Sequence, residues 1–148
     1  MTINIWHPVN LFPQPTGMTC WSAAATMLIG NQSVGPGGAR IATNGGLMSD
    51  FGNIRRFAYA YGLQMEPPQS WTVDGLAALL RRSPLWVAGQ VPTGHAYVIA
   101  AMTGDGTPNG TTLTIYDPWP PNIGQIRQVP YGQWVSLFPM STMYILHR

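Results

Sequence analysis

A chain of 148 residues with 45% hydrophobic and only 8% charged side chains can bury one core and is too apolar to stay disordered. Its net charge of +2 rests on seven arginines, no lysine and five acids; the arginines are scattered apart from Arg55-Arg56 and Arg81-Arg82, read as helix-surface residues, and exclude the basic face of a nucleic-acid binder. One cysteine makes no internal disulfide, and with three widely spaced histidines it makes no metal-ligand set. No apolar run is long enough to span a bilayer.

In chain order, residues 3–6 (Ile-Asn-Ile-Trp) predict a short strand before a lead-in with Pro8, Pro13 and Pro15. A helix is expected from Thr19 or Cys20 to Ile29, its small residues Ser22 to Ala25 allowing close packing, with a stop at Gly30 and Asn31. From Asn31 to Gly46 the chain is glycine-rich, and a loop of that length is expected to flank a substrate groove. A second helix is predicted from a Ser49 or Asp50 N-cap to Gly62, with Phe51, Ile54, Phe57, Ala58 and Tyr61 on one face. A third begins near Thr72, buries Leu76, Leu79 and Leu80, and ends before Pro84.

Strands are predicted at Leu85–Val91, His95–Met102 and Thr111–Tyr116, the last two joined by the Gly/Asp/Asn-rich turn 103–110. Gln125–Val129 extends the sheet, a helical turn holds Gln133–Leu137, and Thr142–Leu146 closes it. Helices first and an antiparallel sheet after them is an α+β arrangement. With no repeat or linker, residues 1–148 are expected to form a single domain.

The chemistry concentrates at Gln14-Pro-Thr-Gly-Met-Thr-Cys20-Trp21, where the lone cysteine stands at the start of a helix. Partial positive charge and free N–H groups at a helix N-terminus favour thiolate, the nucleophilic form, and Gln14 lies close enough to fold back beside it. Taken alone, Cys20 reads equally well as a small buried hydrophobe. His95 follows Gly94 at the start of an apolar strand, a place for a general base or for a satisfied core histidine. His7 and His147 read as surface residues. Asp117 precedes Pro118 at a strand end, which is ordinary turn chemistry; if the two strands pair, it also neighbours His95 and can orient its ring. The conjunction of Gln14, Cys20, His95 and Asp117 in that order favours a catalytic site: Cys20, His95 and Asp117 as the working residues, Gln14 and the Cys20 N–H as oxyanion donors.

Gln14, the Cys20-Trp21 pair, Gly94-His95-Ala96 and Tyr116-Asp117-Pro118 together resemble the papain-like cysteine peptidases over roughly residues 14–117. The compact bacterial branches, double-glycine bacteriocin-processing peptidases and effector proteases of plant pathogens, are the more similar ones. Of the papain signature C-G-[SA]-C-[WY], only Cys20-Trp21 is kept. The resemblance implies a papain-like fold, with a central nucleophile helix packed on a C-terminal antiparallel sheet, and a cysteine endopeptidase needing no cofactor. It also implies, for the substrate, cleavage after Gly-Gly. Trp21, Trp71, Trp86 and Trp119 are candidates for subsite walls, Trp21 and Trp119 foremost.

The expected role is that of an effector or toxin domain, a monomer cutting one cytosolic protein in a target cell. It is expected to be secreted or otherwise delivered there, since the chain has no signal peptide, and to be restrained by a cognate immunity protein where it is made. Neither nucleic acid nor membrane is an expected partner. The same residues also suit an amidase or deamidase acting on peptidoglycan or side-chain amides, and a non-catalytic binding module on the same fold remains open.

Overall fold

A computed structural model describes residues 2–30, 34–48, 50–89, 95–138 and 140–148. The elements run β1 (Ile3–Trp6), α1 (Cys20–Ile29), α2 (Phe51–Ala60), β2 (Gln64–Glu66), α3 (Val73–Leu80), β3 (Leu85–Gly89), β4 (His95–Gly104), β5 (Thr111–Asp117), β6 (Gln125–Pro130), α4 (Tyr131–Leu137) and β7 (Tyr144–His147). The seven strands form one antiparallel sheet in the order β2-β7-β3-β4-β5-β6. β1 pairs with the second half of β4, beyond the stretch that pairs with β3. The α+β class holds, and β2, not foreseen in the sequence, is a short strand recruited by β7.

Alternation along the strands gives the sheet two buried faces. Leu85 and Val87 of β3, with Tyr97 and Ile99 of β4, face one layer with α3 and α4; Trp86, Ala88, Ala96 and Val98 face the other, with α1 and α2. A bulge between Ile99 and Ala101 shifts the parity of β4, so Met102 joins the layer of Ile99. Such two-sided burial explains why β4 reads as an unbroken apolar run.

Helix boundaries follow their local chemistry. Gly30 closes α1 in the left-handed conformation (φ 80°), where a side chain would be strained. Asp50 caps α2 by accepting from Asn53 N at 2.9 Å, and Thr72 caps α3 by accepting from Gly75 N at 3.0 Å. Of the expected features, Asn31, Ser49, Val91 and Gly94 lie outside the described residues.

Several burial expectations need correction. Phe51 is exposed, because the first turn of α2 projects past the layer that Ile54, Phe57 and Ala58 fill. Leu79 is only half-buried, and Val73 and Ala77 share the inner face of α3 instead. His147 is buried, its Nε2 bonded to Glu66 Oε2 at 3.0 Å, because β7 lies inside the sheet. His7 is half-buried and bonded to Leu80 O.

The far end of the glycine-rich segment after α1 forms a turn: Ile41 bridges Leu47, and Ala42 N donates to Gly46 O at 2.8 Å. Asn53, buried in α2, pins it. Its Oδ1 accepts from Arg40 N at 2.6 Å, and its Nδ2 donates to Arg40 O at 3.0 Å and Met48 O at 2.8 Å. Asn53→Ala is expected to cost about 1–2 kcal/mol in a urea melt, since these backbone groups must find water instead. It should also raise KM more than it lowers kcat, because this turn borders the cavity described next.

Candidate active site

Three elements converge where β4 begins. Cys20 opens α1; His95 opens β4; Asp117 ends β5, brought level with the start of β4 by the β4–β5 register. The His95 Nε2 donates to Asp117 Oδ1 at 2.8 Å. With that nitrogen engaged, the other ring nitrogen, Nδ1, is the one left for the Cys20 thiol, which lines the same cavity wall as His95. Cys20 is buried, Asp117 is buried, and the His95 side chain keeps 25% of its surface exposed. That is enough contact with solvent for a proton relay.

The electrostatics couple the three. Burial by itself pushes the His95 pKa down, but hydrogen bonds to Asp117 and to Cys20, together with their negative charge, outweigh it and raise the value from 6.5 to about 9. Asp117 runs the other way. Its burial pushes its pKa up, yet the hydrogen bond and charge of His95, the Trp119 N–H and the charge of Arg127 hold it below the usual carboxylate value. An ionised Asp117 therefore faces a protonated His95 at neutral pH.

A cavity of about 350 Å3 opens beside Cys20 and His95. Trp86 and Ala88 of β3 line it from the sheet, Trp21 and Ile54 from the helices, and Ala42, Gly46 and Leu47 from the ordered turn. Trp21 is fixed by its Nε1 donating to Gly45 O at 2.9 Å, and Trp86 by its Nε1 donating to Trp21 O at 3.1 Å. Among the described residues, the lining holds no ionisable group except Cys20 and His95.

Other expected residues fall differently. Trp119 is 46% exposed and does not line the cavity; its part here is a backbone N–H donated to Asp117 Oδ1 at 3.0 Å. Trp71 packs on the opposite layer, against the α3 side of the sheet. Gln14 is wholly buried and also absent from the cavity lining, its Nε2 donating to Thr16 O at 2.7 Å and its Oε1 without a partner. Its backbone is stitched to the loop after Asp117, Gln14 N to Pro118 O at 3.1 Å and Asn122 N to Gln14 O at 2.9 Å. The Thr19 side chain makes no cap bond to α1, so the first N–H groups of that helix remain available.

One residue here was given no part in the site from the sequence. Arg127 lies on β6, where a strand was expected over Gln125–Val129, and its Nη2 donates to Asp117 Oδ2 at 3.0 Å. Among the described residues, no three His, Cys, Asp or Glu side chains gather to hold a metal ion.

The family model described as papain-like cysteine protease AvrRpt2 matches residues 2–129, a span that contains Gln14, Cys20, His95, Asp117 and Arg127. No curated protein matches the chain.

Proposed function

The chain belongs to the AvrRpt2 family of papain-like cysteine proteases, and we propose that it cleaves a protein of the cell it is delivered to, with Cys20 as nucleophile and His95 as general base and acid. It has the papain-like α+β fold of that family and hydrolyses peptide bonds. The observation that carries the assignment of roles is the His95–Asp117 hydrogen bond at 2.8 Å beside a cavity whose wall holds both Cys20 and His95.

The steps follow from that arrangement. At rest the Cys20 proton already sits on His95 Nδ1, leaving a thiolate beside an imidazolium whose other N–H is held by Asp117. Sγ attacks the scissile carbonyl carbon, and the C=O electron pair moves to oxygen. The Cys20 backbone N–H receives that oxyanion, and Gln14, wholly buried and outside the cavity lining, is given no part in it; a donor of this kind contributes about 2.7–4 kcal/mol in other enzymes. The imidazolium then protonates the leaving nitrogen as the C–N bond breaks. In the second half, His95 takes a proton from water, the hydroxide attacks the thioester, and Cys20 leaves as thiolate.

For specificity, the uncharged lining of Met18, Trp21, Leu47, Ile54 and Trp86 suits an apolar side chain next to the scissile bond. Cleavage after Gly-Gly is the second reading, since it leaves a cavity of about 350 Å3 unfilled. A cytosolic target in the recipient cell and a cognate inhibitor in the producing cell complete the proposal.

Inducible expression of wild type and Cys20→Ala in bacterial cytosol, followed by mass-spectrometric mapping of new protein N-termini, tests it. Fragments present only with wild type are expected, with an apolar residue enriched near the cut. Growth arrest without new N-termini would shift the reading to cell-wall or side-chain amides. Identical behaviour of the two proteins would leave a binding module.

A further inference from the structure

We propose that Arg127 is a positioning residue of this site, fixing the Asp117 carboxylate so that one oxygen always faces His95. The proposal rests on the catalytic reading of Cys20, His95 and Asp117.

The geometry divides the carboxylate between its oxygens. Oδ1 accepts from His95 Nε2 at 2.8 Å and from Trp119 N at 3.0 Å, whereas Oδ2 accepts from Arg127 Nη2 at 3.0 Å. Asp117 is 3% exposed, so no bulk water stands ready to replace a lost donor. Without Arg127 the carboxylate loses the only charged donor on Oδ2 among the described residues and is free to turn about its last bond, taking Oδ1 off the His95 ring.

Strand register delivers the arginine. Asp117 pairs with Gln125 and Ile115 with Arg127, so Arg127 is the diagonal neighbour of Asp117 on one face of the β5–β6 pair. Its placement is costly in isolation, for its Nε is buried without a partner. The return is charge balance. Thiolate, imidazolium and carboxylate sum to a net negative charge, which the guanidinium cancels. A further titratable group against the pair is Tyr97, whose ring lies 6.1 Å from that of His95. Burial pushes the Tyr97 pKa further up, and its hydroxyl accepts from Trp134 Nε1 at 2.8 Å, so it stays neutral and leaves the balance to Arg127.

Arg127→Ala, Arg127→Gln and Arg127→Lys separate this role from a mere tie between strands. Two readouts are taken: kcat and KM on a peptide identified by N-terminal mapping, and the NMR titration of the His95 ring, assigned by its loss in His95→Ala. Arg127→Ala is expected to lower kcat about 10–100-fold, the range seen when a partner orienting a functional side chain is removed, with KM within about twofold. The His95 midpoint is expected to drop from about 9 toward 6.5, because the Asp117 contacts that raise it are loosened.

Arg127→Lys, which keeps the charge, should recover most of both, and Arg127→Gln should recover neither fully. An unmoved midpoint in Arg127→Ala, or in Arg127→Gln should the alanine variant fail to fold, overturns the proposal, whatever happens to kcat. If wild type cleaves nothing, the catalytic reading fails, while the midpoint still reports whether Arg127 acts on His95 through Asp117.

Discussion

His95→Ala should lower kcat/KM at neutral pH by about 10,000-fold, the scale on which a triad enzyme responds when its base is misplaced or removed. On the proposed mechanism His95 is both the acceptor of the Cys20 proton and the donor to the leaving nitrogen, so its loss strikes both halves of the reaction. Iodoacetamide labelling checks the first role without any substrate: at neutral pH, Cys20 in the variant should react many-fold more slowly than in wild type. The wild-type pH profile checks the second. With the His95 pKa at about 9, the imidazolium persists through neutral pH, and activity should fall as pH rises through that value.

The same shift has a stability consequence of fixed sign. His95 binds its proton more tightly folded than unfolded, so its contribution is full below about 6.5 and is lost as pH rises through about 9. The variant should therefore show a flatter dependence of Tm on pH across that window. An unchanged labelling rate would remove His95 from the mechanism.

Trp86→Ala is the largest expected stability effect, about 3–5 kcal/mol by analogy with other buried aromatic truncations. Trp86 has no exposed surface, packs 5.9 Å from the ring of Phe57 between sheet and α2, and donates to the Trp21 carbonyl in the first turn of α1. Truncation opens a hole in the wall that separates the cavity from the core. In a chain whose total stability is of the order of 5–15 kcal/mol, such a loss lowers Tm by roughly 10 °C. Trp119→Ala supplies the contrast: its side chain is 46% exposed, and the expected change is within about 0.5 kcal/mol. Equal melting temperatures for the two variants would mean that the cavity floor is not part of the core.

Much of this site was legible because its signals are local. Cys20 at a helix start, His95 at a strand start and Asp117 at a strand end each announce themselves by the residues around them, and the hairpin turn at 103–110 is enough to bring the last two together. Arg127 was missed because its meaning lies in a pairing register. Once Asp117 and Gln125 are taken as partners across the Pro-rich loop, the residue two beyond Gln125 must share the face of Asp117, and it is an arginine. His147 was misread because proximity to the chain terminus suggested a surface position, while its burial depends on β7 entering between β2 and β3. Asn53 carries no periodic signal at all: a polar residue on an apolar helix face looks like noise until the turn it holds is in view.

That interior position of β7 has a consequence in time. Residues 144–147 pair on one side with residues 64–66 and on the other with residues 86–88, so the sheet gains this interior strand only after the segments on both sides of it have been made. Contacts of such separation are slow to form, because loop closure is costly until they are all in place. Trp86, which lines the cavity beside Cys20 and His95, sits on the strand that residues 144–147 flank, so that wall of the cavity is the part of the site whose strand pairing is completed latest.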